Sequence, residues 1–440
     1  MTPETKKPGI YYGWFVVAAL TFTVFVTMGA RNAFGVFVVP MEQEFGWSRF
    51  NISIAAALGM LANGLIQPFA GQLFDRTGGR RMIMGSLIII GVVTILLSLT
   101  FHILFLIFMF GVVSSLAASG SSLSNTSALL ARWFSRKRAT AIGINATGLS
   151  LGGLIMVPFA MYIIQATDWR IAWIALGLVV LLAVPLVYIF VYPNPAQLGL
   201  RPDGDPEDKE GAAAQGDQRQ RGPLEVDRWS ESFRSLPIWQ MSGSYFVCGS
   251  TTFLLSVHFV PYALDRGVSP SMAATVFGLM SGLNIIGSIG AGVLSDKFSR
   301  KNLLTAVYSL RAGAYAILIV PTMFDVPVLS GDLGLWLFAV MAGFSWVATA
   351  PLTSTLTADV YGLRALGTIS GVTFVFHQVG GFGSVLLAGF LYDVTGSYTV
   401  PFLLAGSFLI PAAISTFSIQ ERKYSLRYIS QTAPTSVAGD

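Results

Sequence analysis

Between Met82 and Leu130 the chain carries no Asp, Glu, Lys or Arg. A bilayer core of ~30 Å takes roughly 20 apolar residues per helix, so this one run predicts two membrane spans, with the reversal near Thr100 and His102. Reading every charge-poor stretch in the same way predicts helices over 12–39, 51–74, 82–100, 104–130, 139–165 and 171–192. A second set follows over 237–264, 272–295, 302–323, 333–358, 366–392 and 399–419. Composition agrees: 53% of the 440 residues are hydrophobic and 11% charged, which leaves too little polar surface for a soluble protein of this length. The expected fold is therefore an all-α membrane protein of twelve transmembrane segments, numbered here in chain order.

Trp14 to Val39 is long enough to span a bilayer and no small-residue cleavage site follows it, so a signal peptide is not expected. The single cysteine, Cys248, excludes an intrachain disulfide framework and reads as a small helix-packing residue. All but five of the 27 Lys and Arg fall at the termini, in the long central loop or in the loops on the same side as these. Arg49, Arg170 and Arg266 fall in loops opposite, and Arg31 and Arg311 lie within helices. The positive-inside rule then places both termini in the cytoplasm, and a bacterial inner membrane is the expected location. The net charge of +5 is a topology signal on this reading, and no nucleic-acid partner is expected.

The chain also repeats itself. Adding 221 maps Pro40 onto Pro261, Gly46 onto Gly267, Ser48 onto Ser269, Asn63 onto Asn284, Gly71 onto Gly292 and Asp75 onto Asp296. Further on, LLARWFSRKRATAIG is similar to LTADVYGLRALGTISG at an offset of 226 to 228. The second half is a parallel copy of the first, an arrangement that implies two six-helix bundles with a substrate site near the midplane. Expected domains are 1–192 and 237–440, joined by a linker over 193–236. That linker contains RPDGDPEDKEGAAAQGDQRQRGP, rich in Pro, Gly and charge and poor in apolar residues, and reads as a flexible tether.

GQLFDRTGGRRMIM, from Gly71 to Met84, resembles the signature between helices 2 and 3 of the major facilitator superfamily, and GVLSDKFSRKNLL, from Gly292 to Leu304, resembles its second copy. The resemblance covers essentially the whole chain and implies the major facilitator fold and transport by alternating access. Asp75 stands among Arg76, Arg80 and Arg81, where charge-assisted hydrogen bonds suit a conformational latch, with Asp296 and Arg300 in the repeat. WFSRKRATAIGINATGLSLGGLIMVP, from Trp133 to Pro158, resembles the fifth helix of monocarboxylate porters and of the oxalate:formate antiporter family. Ala141, Gly143, Gly148, Gly152 and Gly153 give that segment a face without bulk, which lets helices approach and slide. YYGWFVV and FGVFVVPMEQEFGWSR also look like bacterial members of this group.

Two departures bear on substrate. Monocarboxylate porters carry an Asp and an Arg in helix 8, yet GLMSGLNIIGSIGAGVLSDK holds neither before Asp296. The oxalate antiporters pair an Arg in helix 8 with a Lys in helix 11, whereas TISGVTFVFHQVGGFGSVLL places His377 near that Lys position. The ionisable residues well inside the segments are Arg31, His258, Arg311 and His377, with no acid among them. Such groups are costly in a membrane and are functional candidates for that reason. A basic interior favours an organic anion, a carboxylate above all. Arg31, whose planar fork suits a carboxylate, is expected to meet it with at least one of His258 and His377. Arg311, in a segment that usually packs on the periphery, is expected to be structural. Gln378, Asn125, Ser121, Trp346 and Phe344 are candidates to complete the pocket, with helix packing as the competing role. His258 and His377 are also the candidates for a coupled proton, and exchange of one anion for another is equally compatible.

No phosphate-binding loop, metal motif or catalytic triad is present in the sequence, so neither an enzyme nor a cofactor or metal is expected. The expected partners are a small organic anion, protons in the coupled case, and the lipid bilayer, and the expected state is a monomer. The competing transport reading is export of neutral or amphipathic compounds.

Overall fold

A computed structural model describes residues 11–134, 137–204, 223–224, 226, 229–324, 326, 329, 331–362 and 366–425. The side chains of Asp75 and Asp296 and, within the 193–236 linker, residues 205–222, 225, 227 and 228 lie outside that description. All regular structure among the described residues is helical. Among those residues twelve helices are long and apolar enough to cross a membrane. They are α1 (Gly13–Phe45), α2 (Arg49–Gln67), α3 (Gly79–Leu99), α4 (Ile103–Trp133), α5 (Thr140–Ala166) and α6 (Trp169–Phe190). The rest are α7 (Leu236–Asp265), α8 (Pro270–Ser295), α9 (Arg300–Pro321), α10 (Asp332–Tyr361), α11 (Thr368–Thr395) and α12 (Thr399–Phe417). Every predicted segment is present.

The ends differ from the hydropathy reading because a helix stops where its backbone is capped, and charge alone does not stop it. α1 runs past Pro40 to Phe45 and closes at Gly46, whose φ of 65° gives the left-handed turn that terminates the ladder. The helix of α2 begins at Arg49, capped by Ser48, whose Oγ accepts from the Asn51 amide at 3.3 Å. Adding 221 moves this cap onto Ser269, whose Oγ accepts from the Met272 amide at 3.3 Å. The same offset takes the first residue of α2 to that of α8, and Gly79 at the start of α3 to Arg300 at the start of α9. The repeat read in the sequence is thus a repeat of helix starts.

Two of the spans are broken. α4 passes through a π-helical stretch, Ile107–Ser114, continues over Ser115–Gly120, and restarts at Leu123 after a non-helical Ser121. α10 stops at Ser345 and restarts at Thr349. An asparagine related by the repeat lies beside each break. Asn63 donates to the Ser119 hydroxyl at 3.0 Å and the Ser115 carbonyl at 3.4 Å. Asn284 Oδ1 accepts from the Val347 amide at 2.8 Å. A buried peptide group outside a helix needs a partner of this kind.

The chain forms two compact units, Met1–Asp208 with Ser256–Gly282, and Lys209–Leu255 with Leu283–Asp440. That division follows packing, and the halves read from the repeat follow the linker. In the first unit the small face of α5 lies on α1. A Cβ at Gly148 would stand 2.6 Å from the Thr21 carbonyl oxygen, and one at Gly152 would stand 2.6 Å from the Gly29 amide. Gly143 meets nothing within 4 Å, so its place on that face is not a contact.

Candidate functional site

Within the first unit, α1, α3, α4 and α6 enclose a small cavity lined by Thr27 and Arg31 of α1, Thr94 of α3, Phe110 and Ser115 of α4 and Trp173 of α6. Its polar lining follows from local chemistry. Thr27 and Thr94 turn their hydroxyl protons back onto the Thr23 carbonyl at 2.9 Å and the Ile90 carbonyl at 2.7 Å. Each is thereby tolerated in a membrane helix. Ser115 donates to the Phe110 carbonyl at 3.2 Å, a five-residue reach that belongs to the π-helical stretch preceding it. Such widened turns recur at functional sites.

Aromatic stacking sets the far wall. Trp173, 1% exposed, lies 3.7 Å from Phe37 between ring centroids with planes 12° apart. Phe34 stacks on Phe110 at 4.3 Å. The indole Nε1 of Trp173 is buried and has no hydrogen-bond partner in the protein. A buried indole N–H ordinarily finds an acceptor.

The repeat gives this cavity a counterpart in the second unit. Adding 221 to Thr27, Ala30, Arg31, Ile90 and Thr94 yields Cys248, Thr251, Thr252, Arg311 and Tyr315. These residues also meet one another. The Arg311 Nη1 donates to Thr251 Oγ1 at 3.1 Å and lies 3.3 Å from Cys248 Sγ and 3.4 Å from Thr252 Oγ1. Its Nη2 donates to the carbonyls of Ser345 and Trp346 at the break in α10. Tyr315 donates to the Thr251 carbonyl at 2.6 Å. Both units therefore place a guanidinium at the equivalent spot, supplied by α1 in one and by α9 in the other. In the second unit it is packed against acceptors and 2% exposed; in the first it borders a cavity.

The other residues singled out by sequence fall in several places. His258 is fully buried in the first unit, its Nε2 3.4 Å from Ser53 Oγ, which itself donates to the Arg49 carbonyl at 2.6 Å. His377 lies in the second unit, packed by Tyr245, Phe253 and Phe374 with ring centroids 4.6, 5.3 and 5.9 Å away, and next to Cys248. Arg31 and His258 belong to the first unit and His377 to the second. Gln378 is buried at 2% exposure.

Asn125 serves the break in α4, donating to the carbonyls of Ser119 and Gly120 at 3.0 and 3.3 Å, and Ser121 is the broken residue itself. Trp346 lies in the break in α10 and Phe344 just before it, where the Phe344 carbonyl lies against Gly287. On the proposed latch, Arg80 donates to the Tyr188 carbonyl and lies 4.8 Å above the Tyr188 ring, while Arg76 and Arg81 are exposed. Arg300 pairs with Asp359 at the end of α10.

Sequence reasoning missed Trp173 and two further groups. Arg49, assigned to a loop, is the first residue of its helix and only 3% exposed, with Glu42 and Asp265 as ion-pair partners. Glu421, just beyond α12, is 1% exposed and accepts from the amides of Arg300 and Lys301 at 3.0 and 3.1 Å. A signal existed only for Arg49: an acid seven residues earlier that no hydropathy profile weighs.

The Major Facilitator Superfamily profile matches residues 20–385. Monocarboxylate transporter 12 of Rattus norvegicus is 28% identical over 431 residues, which cover 93% of this chain and 86% of that protein. The uncharacterized MFS-type transporter YcxA of Bacillus subtilis (strain 168) is 25% identical over 390 residues, 88% of this chain and 90% of its own length. Among solved structures, a bacterial homologue of the human lysosomal transporter Spinster, inward-facing and unoccupied, matches with a TM-score of 0.68 at 16% identity over 95% of this chain and 98% of that one. That last likeness is one of fold, and it agrees with the twelve helices and their repeated starts. Matched by its family across most of its length, this chain belongs to the major facilitator superfamily and is a multi-pass membrane transporter.

Proposed function

We propose that the transporter moves a small organic anion, a carboxylate, by alternating access. The observation that carries this reading is Arg31: a guanidinium set in the first unit on the wall of a cavity, with no acid of its own helix nearer in sequence than Glu42, eleven residues on. A cation in a low-dielectric interior favours an anionic guest. Relatives named monocarboxylate transporters support the same substrate class. Arg311, satisfied by hydroxyls and carbonyls, is read as a structural cation.

Energy comes from a gradient of the substrate, of a second anion or of protons, with His258 and His377 as the proton-coupling candidates. Both termini are read as cytoplasmic and the membrane as a bacterial inner membrane, from the distribution of Lys and Arg, and the protein as a monomer. Asp75 with Arg76, Arg80 and Arg81, and Asp296 with Arg300, are read as the latch on that cytoplasmic side.

Uptake of radiolabelled short-chain carboxylates into proteoliposomes tests the proposal. Wild-type protein is expected to accumulate at least one of them, and Arg31→Ala to abolish uptake while inserting normally. Transport of neutral compounds alone, unaffected by Arg31→Ala, would instead favour the exporter reading.

A further inference from the structure

Trp173 is the one large polar ring of the first unit's cavity whose hydrogen goes nowhere in the protein. Its indole plane is fixed by Phe37, it is 1% exposed, and its Nε1 is buried without an acceptor. The hydroxyls of Thr27, Thr94 and Ser115 donate their protons to carbonyls of their own helices, and none of them accepts from that N–H. At the equivalent place in the second unit Arg311 is met by Thr251, Thr252 and Cys248 and by two carbonyls.

The first unit departs from that plan at three points. The guanidinium comes from α1 in place of α3, where Ile90 occupies the position equivalent to Arg311. The side of α4 that faces it is opened by a π-helical stretch ending at Ser114. Trp173 of α6, whose indole N–H has no acceptor in the protein, lines the wall. A charged donor and a neutral donor bordering one cavity, walled by aromatic carbon, form a receptor for one compact anion. The charge attracts it, and the N–H, rigid and already desolvated, orients it at little entropic cost.

We propose that Trp173 is an anion-recognition residue, its Nε1–H and Arg31 together forming a subsite inside the first unit for the carboxylate end of the substrate. This rests on the carboxylate reading of Arg31 and adds to it a position, a second donor and a size limit. A small inorganic anion shares the chemistry, and the test separates the two.

The substitution that isolates the donor is Trp173→Phe, which keeps a ring on Phe37 and removes the N–H. Binding of pyruvate and, separately, of bromide is measured by titration calorimetry on the full-length protein in nanodiscs. A hydrogen bond to a charged group sets the scale of the expected loss at roughly 10- to 100-fold in pyruvate affinity. Trp239→Phe, the same change at an exposed indole whose N–H is bonded to the Phe233 carbonyl, is expected to leave affinity unchanged. Ala118→Leu, which fills the cavity from α4 and leaves both donors in place, is a second variant and is expected to lose binding as well.

Wild-type pyruvate affinity in Trp173→Phe or in Ala118→Leu, with binding abolished in Arg31→Ala, overturns the subsite and leaves the transport reading standing. Bromide binding that depends on Trp173, with no pyruvate binding by the wild type, overturns the carboxylate reading and keeps the anion subsite. Binding of neither anion by the wild type overturns both.

Discussion

Arg49 and Asp265, 216 residues apart, form a bidentate ion pair, Nη1 to Oδ2 at 2.5 Å and Nη2 to Oδ1 at 2.8 Å. Both lie in the first unit, so the pair ties the end of α7 to the start of α2 inside one packed body. Glu42 adds a second carboxylate, its Oε2 2.9 Å from the same guanidinium. Arg49 is buried at 3% while Asp265 and Glu42 keep 31% and 30% of their surface.

Asp265→Asn is expected to destabilise by about 1–2 kcal/mol, below the ~3–5 kcal/mol typical of a fully buried pair, because one partner remains hydrated and Glu42 remains to hold the arginine. Asp265→Asn combined with Glu42→Gln removes both partners and is expected to cost more than the two single changes together. Thermal melts of the three variants in one detergent check this, and strictly additive losses would mean that the two acids do not share the arginine.

Arg311 gives the second prediction. Its guanidinium reaches three side chains and two backbone carbonyls, which a single ammonium cannot do. Arg311→Lys is expected to lower stability by ~2–4 kcal/mol, leaving the carbonyls of Ser345 and Trp346 without their donor. Arg31→Lys, at a cavity wall, is expected to cost less than 1 kcal/mol in stability and to act on substrate affinity. The contrast is read by pairing melts with binding titrations on the same preparations. Equal loss of stability in the two variants would contradict the different roles assigned to them.

Much of this fold was legible because lipid imposes a simple rule. Charges are confined to ends, so the gaps in the charge pattern count the helices, and the constant offset of 221 from Pro40 to Asp75 announced the repeat. The same offset relates helix starts at Arg49 and Pro270. The breaks in α4 and α10 were not legible, since Ser121 and Trp346 are ordinary residues in apolar runs and the freed carbonyls are met by side chains that only the fold brings there, Asn125 at the first and Arg311 at the second. The candidate site was legible in part. A lone Arg31 in an apolar segment stands out, whereas Trp173 reads as one more aromatic, its significance lying in an N–H whose lack of a protein acceptor only three dimensions reveal. The expected grouping of Arg31 with a histidine rested on which helices usually face the substrate path, a habit of the fold that these residues do not themselves encode.

Glu421 supplies a third prediction. Its carboxylate accepts from the backbone amides of Arg300 and Lys301 and from Ser299 Oγ, at the N-terminus of α9. The helix dipole and two otherwise unsatisfied N–H groups both favour a negative charge there. Glu421→Gln keeps the shape and removes the charge, and is expected to cost about 1–2 kcal/mol. Glu421→Ala, which strips both amides of their acceptor in a buried place, is expected to cost more. Limited proteolysis at the chain's C-terminal end, compared across the wild type and the two variants, reports whether the segment after α12 stays docked.

The last prediction concerns the two asparagines that lie beside the breaks. Asn63 and Asn284 are related by the repeat, 8% and 6% exposed, and each satisfies a backbone or hydroxyl group near a break in the membrane interior. Their tasks differ in sign, since Asn63 donates and Asn284 accepts. Leucine at either position leaves a buried polar group unpaired, at a cost of about 1–3 kcal/mol each. Aspartate separates the two positions. At 284 it retains an acceptor for the Val347 amide, so Asn284→Asp is expected to be milder than Asn284→Leu. At 63 it removes the amide donor and sets a carboxyl against the Ser115 carbonyl, so Asn63→Asp is expected to be no better than Asn63→Leu. Each residue serves a break in its own unit, so the double leucine variant is expected to lose the sum of the single losses. Thermal melts of the five variants decide the matter: the same ranking of aspartate and leucine at both positions would show that the pseudo-symmetric pair does not divide donor and acceptor duties as the hydrogen bonds indicate.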